Sequence, residues 1–184
     1  MKPNIYPLLA LTTRRDGQPD RGALANLRRG LSETTRHLAW PYLAQLGIEP
    51  DDEPSVLTAA LFAEHPMHAK AGNIGATWRN VYNERRNRKQ QEPTDPEQLR
   101  FRRLIACDAA EIADHLLGIV RFSRNTGSGV PIDYDQLWWD LREWFGEIEP
   151  RKGQHPVKLR WACGFHLAAF EPEPTNETAQ VVSE

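Results

Sequence analysis

Leu99-Arg100-Phe101-Arg102-Arg103-Leu104-Ile105 sets the terms on which the rest of the chain is read. Phe101, Leu104 and Ile105 fall within about 100° on a helical wheel, a narrow apolar stripe that a helix must bury. Arg100 and Arg103 lie on the other side, with Arg102 at the edge. One short helix therefore both holds a core and carries three permanent positive charges. Those charges are either a solvated face or a grip on something anionic. Just upstream, Thr94-Asp95-Pro96-Glu97 has the form of a helix start, with a capping hydroxyl, a proline in the first turn and a closing glutamate. Asp108-Ala109-Ala110-Glu111 repeats the pattern. Two helices are predicted, about 95–107 and 109–124, rather than one long one.

The same grammar runs outward in both directions. Residues 5–11 predict a short helical turn, and Asp16-Gly17-Gln18-Pro19 a tight turn. Asp20 is placed to cap Arg21–Arg29, with Leu24, Leu27 and Leu31 inward and Gly30 expected to end the helix in a left-handed conformation. Residues 37–46 form the next helix, closed by Gly47, before an acidic linker at 49–54. Val56–Ala63 is apolar on all sides and reads as a fully buried helix that stops at His65-Pro66. Ile74, Trp78, Val81 and Tyr82 mark the inward face of another, whose end passes into the exposed run 83–91. After the break at Gly127–Pro131, Asp133 and Gln136 box a helix with Tyr134, Leu137, Trp138, Leu141 and Trp144 on one side and Trp139 on the other. The last helix has Val157, Trp161 and Phe165 on one face and Leu159, Cys163 and Phe170 on another, so it is expected to be sandwiched. No alternating strand pattern competes. The fold class is all-α: two small helical bundles with about eight or nine short helices. The expected divisions are an N-terminal bundle at 1–84, a basic linker at 85–94, a C-terminal bundle at 95–170 and an acidic, disordered tail at 171–184.

With 184 residues, 40% apolar and 26% charged, the chain fits an ordinary soluble domain. No stretch approaches the roughly 18 apolar residues of a membrane span, and no signal peptide is read. Cys107 and Cys163 are the only cysteines, which points to a reducing, cytoplasmic setting rather than a disulfide framework. The net charge of −2 conceals segregation. Residues 79–103 carry eight cations against four acids, and residues 21–36 carry four against one. Eighteen of the 23 cations are arginines, whose planar fork suits phosphate oxygens.

Enzyme signatures are missing. Thr126-Gly127-Ser128-Gly129 lacks the lysine and spacing of a P-loop and the strand of a nucleophile elbow. His65 and His68 flank Pro66 with no nearby cysteine or acid as third ligand, and Asp133, Asp135 and Asp140 read as a cap plus solvated acids. Cys163 and His166 share a face with core residues. No metal and no cofactor is expected.

Several segments, in order, resemble the CasB family, the small subunit of the type I-E CRISPR surveillance complex, Cascade. They are Arg21–Arg29, Ala60-Leu61-Phe62-Ala63-Glu64-His65-Pro66, Gly72-Asn73-Ile74-Gly75-Ala76, Arg100–Ile105, Tyr134–Leu141 and Val157–Phe165. Cys163-Gly164 departs from the basic-acidic pair common in the family. The resemblance implies an all-helical, non-catalytic protein of antiviral defence, two copies of which pack head to tail. Its implied partners are the large and backbone subunits, the CRISPR RNA and the target DNA, including the displaced strand. The implied task is to steady the guide–target duplex and that strand, the R-loop. The cations expected to meet nucleic acid are Arg21, Arg28, Arg29, Arg100, Arg102, Arg103, Arg121, Arg124, Lys158 and Arg160, with Arg85, Arg86, Arg88 and Lys89 as a supplementary arm. Trp139 is left between base stacking and a subunit interface. The rival reading is a protein–protein adaptor whose basic face binds acidic protein surfaces.

Overall fold

Helix α4 (Glu53–Glu64) is the axis of the structure, a computed structural model that describes residues 6–12, 18–89 and 96–166. Asp52 accepts a hydrogen bond from the Ser55 backbone N–H at 3.3 Å, Pro54 occupies the first turn, and the helix ends at His65-Pro66 as its sequence dictates. From Val56 to Glu64 every side chain is buried, so α4 needs neighbours on all sides. Helix α2 (Arg21–Leu27) and the 3-10 turn Arg28–Leu31 cover one flank; α7 (Ile112–Arg124) and α8 (Tyr134–Trp144) cover others. Asp20 caps α2 as expected, accepting from Ala23 N–H at 3.0 Å. Gly30 does not take the expected left-handed closing conformation. It lies inside the 3-10 turn, where an added Cβ would sit 3.4 Å from both Ala60 Cβ and Val56 Cγ1, so it serves a close approach to α4.

The remaining helices close around this centre. They are α1 (Tyr6–Ala10), α3 (Trp40–Gln45), α5 (Ile74–Lys89), α6 (Pro96–Ala106) and α9 (Val157–His166). Gly47 ends α3 with φ +70°, as expected. Asp108 separates α6 from α7 by accepting from the N–H groups of Ala110 and Glu111 at 2.9 and 3.2 Å. Asp133 caps α8 through Gln136 N–H at 2.9 Å, while the Gln136 side chain runs on to Asp140 instead of reaching back. The described residues contain no strand beyond a single parallel bridge, His68 to Ile132, that ties the loop after α4 to the one before α8. The all-α expectation holds.

Where sequence suggests two bundles, the packing is continuous. Helix α9 lies against α5, and α7 and α8 lie against α4, so one core runs from Leu8 to Phe165 through Trp78, Phe101 and Trp161. The expected linker from residue 85 begins as helix, because α5 continues to Lys89. Its end is tied to α6: Arg85 Nε meets Glu97 Oε1 at 3.0 Å, and the Trp78 indole donates to the Glu97 carbonyl at 2.9 Å. Glu97 is thus buried against α5. Helix α9 is not sandwiched, since Leu159 is 44% exposed and only the Val157, Trp161 and Phe165 face is buried. The Asp16-Gly17 turn residues, the Thr94 cap, residues 90–95 of the linker, Phe170 and the tail at 171–184 lie outside the described residues.

Candidate nucleic-acid interface

At the C-terminal end of α4, three arginines from two parts of the chain meet one carboxylate. Arg28, at the junction of α2 and the 3-10 turn, donates from Nε to the Ala63 carbonyl at 2.8 Å and lies 3.7 Å from Glu64 Oε2. Arg121 Nε is 3.3 Å from Glu64 Oε1. Arg124 donates from a terminal nitrogen to Oε1 at 2.8 Å and to the Glu64 carbonyl at 3.3 Å. Helix ends leave carbonyls without intrahelical partners, and arginines are suited to both these groups and the negative end of the helix dipole. Arg121 and Arg124 also occupy the last turn of their own helix α7, where cations are favoured. The Glu64 side chain is 9% exposed, whereas those of Arg28, Arg121 and Arg124 are 41%, 56% and 44% exposed. The anion is inside and the cations face out.

A second basic group gathers at Phe122 of α7. The Arg100 and Arg85 guanidiniums lie 4.4 and 4.9 Å from the centre of the Phe122 ring, the residue next to Arg121. Arg103, one turn along α6 from Arg100, is exposed, as is Arg102. Arg21, Arg29 and Arg86 are exposed on α2, the 3-10 turn and α5. The side chains of Arg88 and Lys89 lie outside the described residues.

Two expected members are engaged by contacts within the fold. Arg160 points inward, donating to Asp140 at 2.6 Å and to Glu143 at 2.7 Å, with its side chain 17% exposed. Asp140 is fully buried and also accepts from the Trp161 indole and Gln136; burial pushes its carboxyl up against the pull of these donors. This ion pair holds α9 to α8 and occupies the Arg160 guanidinium within the fold. Lys158 donates to the Cys107 carbonyl at 2.9 Å, closing the end of α6, and lies 4.6 Å from the Trp144 ring centre. Its ammonium is engaged by the fold. Trp139 has a partner of its own: it packs edge-on against Trp138 at 4.8 Å and sits 5.0 Å beneath the Arg151 guanidinium.

Sequence reasoning misses two features. Glu64 is visible there only as one letter of a motif, because nothing local announces that residues 57 and 60 positions away will meet it. His68 comes together in space with Asp133 and Asp135, 65 and 67 residues further along the chain, their ligand atoms all within 4.8 Å of one another. In that trio Asp135 Oδ1 is buried without a hydrogen-bond partner. Tyr134 N–H donates to His68 Nδ1 at 3.4 Å, which puts the neutral ring's proton on Nε2, facing Asp135 Oδ2 at 4.0 Å. Asp133 Oδ1 is held by its cap. Burial raises the Asp135 carboxyl, opposed by His68 and reinforced by Asp133. His166, on the face considered for a Cys163 pairing, packs edge-on against Phe101 and Phe165.

Comparison with protein-family models matches residues 23–166 to the CRISPR-associated protein Cse2. The chain belongs to the Cse2, or CasB, family. Its fold is similar to that of CasB from Thermus thermophilus, with 24% identity, a TM-score of 0.60 and coverage of 90% of this chain and 98% of that one. A second structure from Thermus thermophilus, of a CRISPR-associated protein of the Cse2 family, gives 24% identity and 0.61 over the same shares. CasB from Thermobifida fusca gives 22% identity and 0.58, over 87% of this chain and 92% of that one. No curated protein sequence matches the chain. Within this Cse2 chain the family match spans both halves of the arginine cluster, Arg28 and the Arg121–Arg124 turn, together with the glutamate between them.

Proposed function

We propose that this Cse2-family protein is a non-catalytic subunit of a type I-E Cascade complex. It grips nucleic-acid backbone without reading sequence, and so steadies the guide RNA–target duplex and the displaced strand in antiviral defence. One observation carries the reading: Arg28, Arg121 and Arg124 converge on a single buried carboxylate with their side chains 41%, 56% and 44% exposed. R-loop formation exchanges one duplex for another of similar stability, so a few backbone contacts suffice to tip it. Contacts that serve every target must go to phosphates, which are the same everywhere, and not to base edges. Arginine forks on rigid helices meet that need. The partners proposed with this role are CRISPR RNA and target DNA, a second copy of the chain packed head to tail, and the large and backbone subunits, in the cytoplasm.

The test is salt dependence. Arg102→Ala and Arg103→Ala, at two exposed cations of α6, are each expected to lower the slope of log affinity against log salt by about one unit, for single- and double-stranded DNA of any sequence. An unchanged slope in both variants counts against direct phosphate contact by this face.

A further inference from the structure

We propose that Glu64 is a positioning residue that organises Arg28, Arg121 and Arg124 into a seat for one phosphodiester group; this rests on the backbone-binding reading above. The three arginines come from two separate elements, the 3-10 turn Arg28–Leu31 and α7, that both reach the end of α4. Three like charges at one place repel, and long side chains lose rotamer freedom when fixed. A buried carboxylate among them offsets both costs. It also leaves the site cationic, with three positive charges against one negative. Glu64 and the neighbouring carbonyls engage Arg28 and Arg121 through Nε and Arg124 through one terminal nitrogen. The opposite edges of the guanidinium forks remain for a ligand.

The dependence on Glu64 is unequal. Arg28 is also held by the Ala63 carbonyl, and Arg124 by the Glu64 carbonyl, whereas the contact fixing Arg121 is to the carboxylate itself. Loss of the carboxylate therefore acts chiefly by releasing Arg121. This gives a result that simple electrostatics contradicts. Glu64→Gln removes the one negative charge of the cluster, so a cluster that worked by charge alone would bind DNA more tightly and with a steeper salt slope. A positioned seat predicts the reverse.

The experiment measures binding of the full chain to a short single-stranded DNA of mixed sequence across a salt series. The proteins are the unaltered chain, Glu64→Gln, Arg121→Ala and the double variant, each checked for helix content. The expected result is that Glu64→Gln binds about threefold to fivefold more weakly, with no steeper slope. In the Arg121→Ala background Glu64→Gln should have little further effect. Equal or tighter binding by folded Glu64→Gln overturns the proposal, as does an undiminished effect without Arg121. If Glu64→Gln does not fold, Glu64→Asp decides, because it keeps the charge and draws the carboxylate back from Arg121. Binding equal to the unaltered chain then overturns the proposal and weaker binding supports it. Failure of the unaltered chain to bind in a salt-dependent way would instead remove the backbone-binding reading, and this inference with it.

Discussion

His65 follows Glu64 in the chain, and burial shifts its titration beside the arginine cluster. Its ring is almost fully enclosed, with Nε2 2.9 Å from the Val130 carbonyl, and the Tyr134 hydroxyl donates to its own carbonyl at 2.7 Å. Burial holds its pKa below the ordinary value of 6.5; Arg124 acts in the same direction, while the Val130 carbonyl and Glu64 oppose it. The unfolded chain takes up this proton as the pH falls through 6.5, and the folded chain resists it. The contribution to stability is therefore present above that pH and lost as the pH falls below it. His65→Gln keeps a donor for the Val130 carbonyl and removes the titration. In urea unfolding, the unaltered chain is expected to lose stability relative to His65→Gln between about pH 7 and pH 5, and a constant difference would contradict the assignment. Residue roles of this kind are the least legible in the sequence. Arg160 and Arg102 look alike as letters. One is an inward ion-pair partner because Asp140 and Glu143 lie 20 and 17 residues earlier on a packed neighbouring helix, and no local pattern carries that information.

At the scale of elements the sequence is far more readable, because starts and stops are local chemistry. Asp20, Asp52 and Asp133 each accept the backbone N–H three residues ahead, and Gly47 turns left-handed where the periodicity ends. What escapes is how closely elements approach. Gly30 reads as a helix terminator and is instead a contact with α4. Gly75 and Gly164 are the stronger case: a Cβ on Gly75 would lie 1.9 Å from the Trp161 carbonyl oxygen, and one on Gly164 would lie 2.3 Å from Asn73 Oδ1. Helices α5 and α9 thus cross with their backbones nearly touching. Asn73 secures the crossing by accepting from Ala76 N–H at 3.0 Å and donating to the Arg160 carbonyl at 3.2 Å, and Arg79 donates to the Gly164 carbonyl at 2.9 Å. Gly75→Ala, whose extra methyl meets main chain rather than a flexible side chain, is expected to destabilise the fold by about 2–3 kcal/mol in chemical denaturation. A change under about 0.5 kcal/mol would mean that the crossing relaxes freely.

For the molecule as a whole, the question is whether the two expected bundles are independent. The buried cluster runs through α4, α5, α7, α8 and α9 without a break, and each half covers apolar surface that the other would otherwise expose. Both halves are also joined by polar contacts, Arg121 and Arg124 to Glu64 and the Trp138 indole to Ser55 Oγ at 2.7 Å. One cooperative unfolding transition is therefore expected, with far-UV circular dichroism and tryptophan fluorescence giving the same midpoint; separated midpoints would favour two units. Composition cannot anticipate this continuity, because a charged run such as 83–91 reads as a boundary whether or not the flanking helices later pack together.

The crossing of α5 and α9 also sets the mechanics of the molecule. Two main chains in direct contact have no cushion of side chains to compress, and the bonds from Asn73 and Arg79 stitch them against sliding. Relative movement of the two helices at this crossing would have to break those bonds or open the contact.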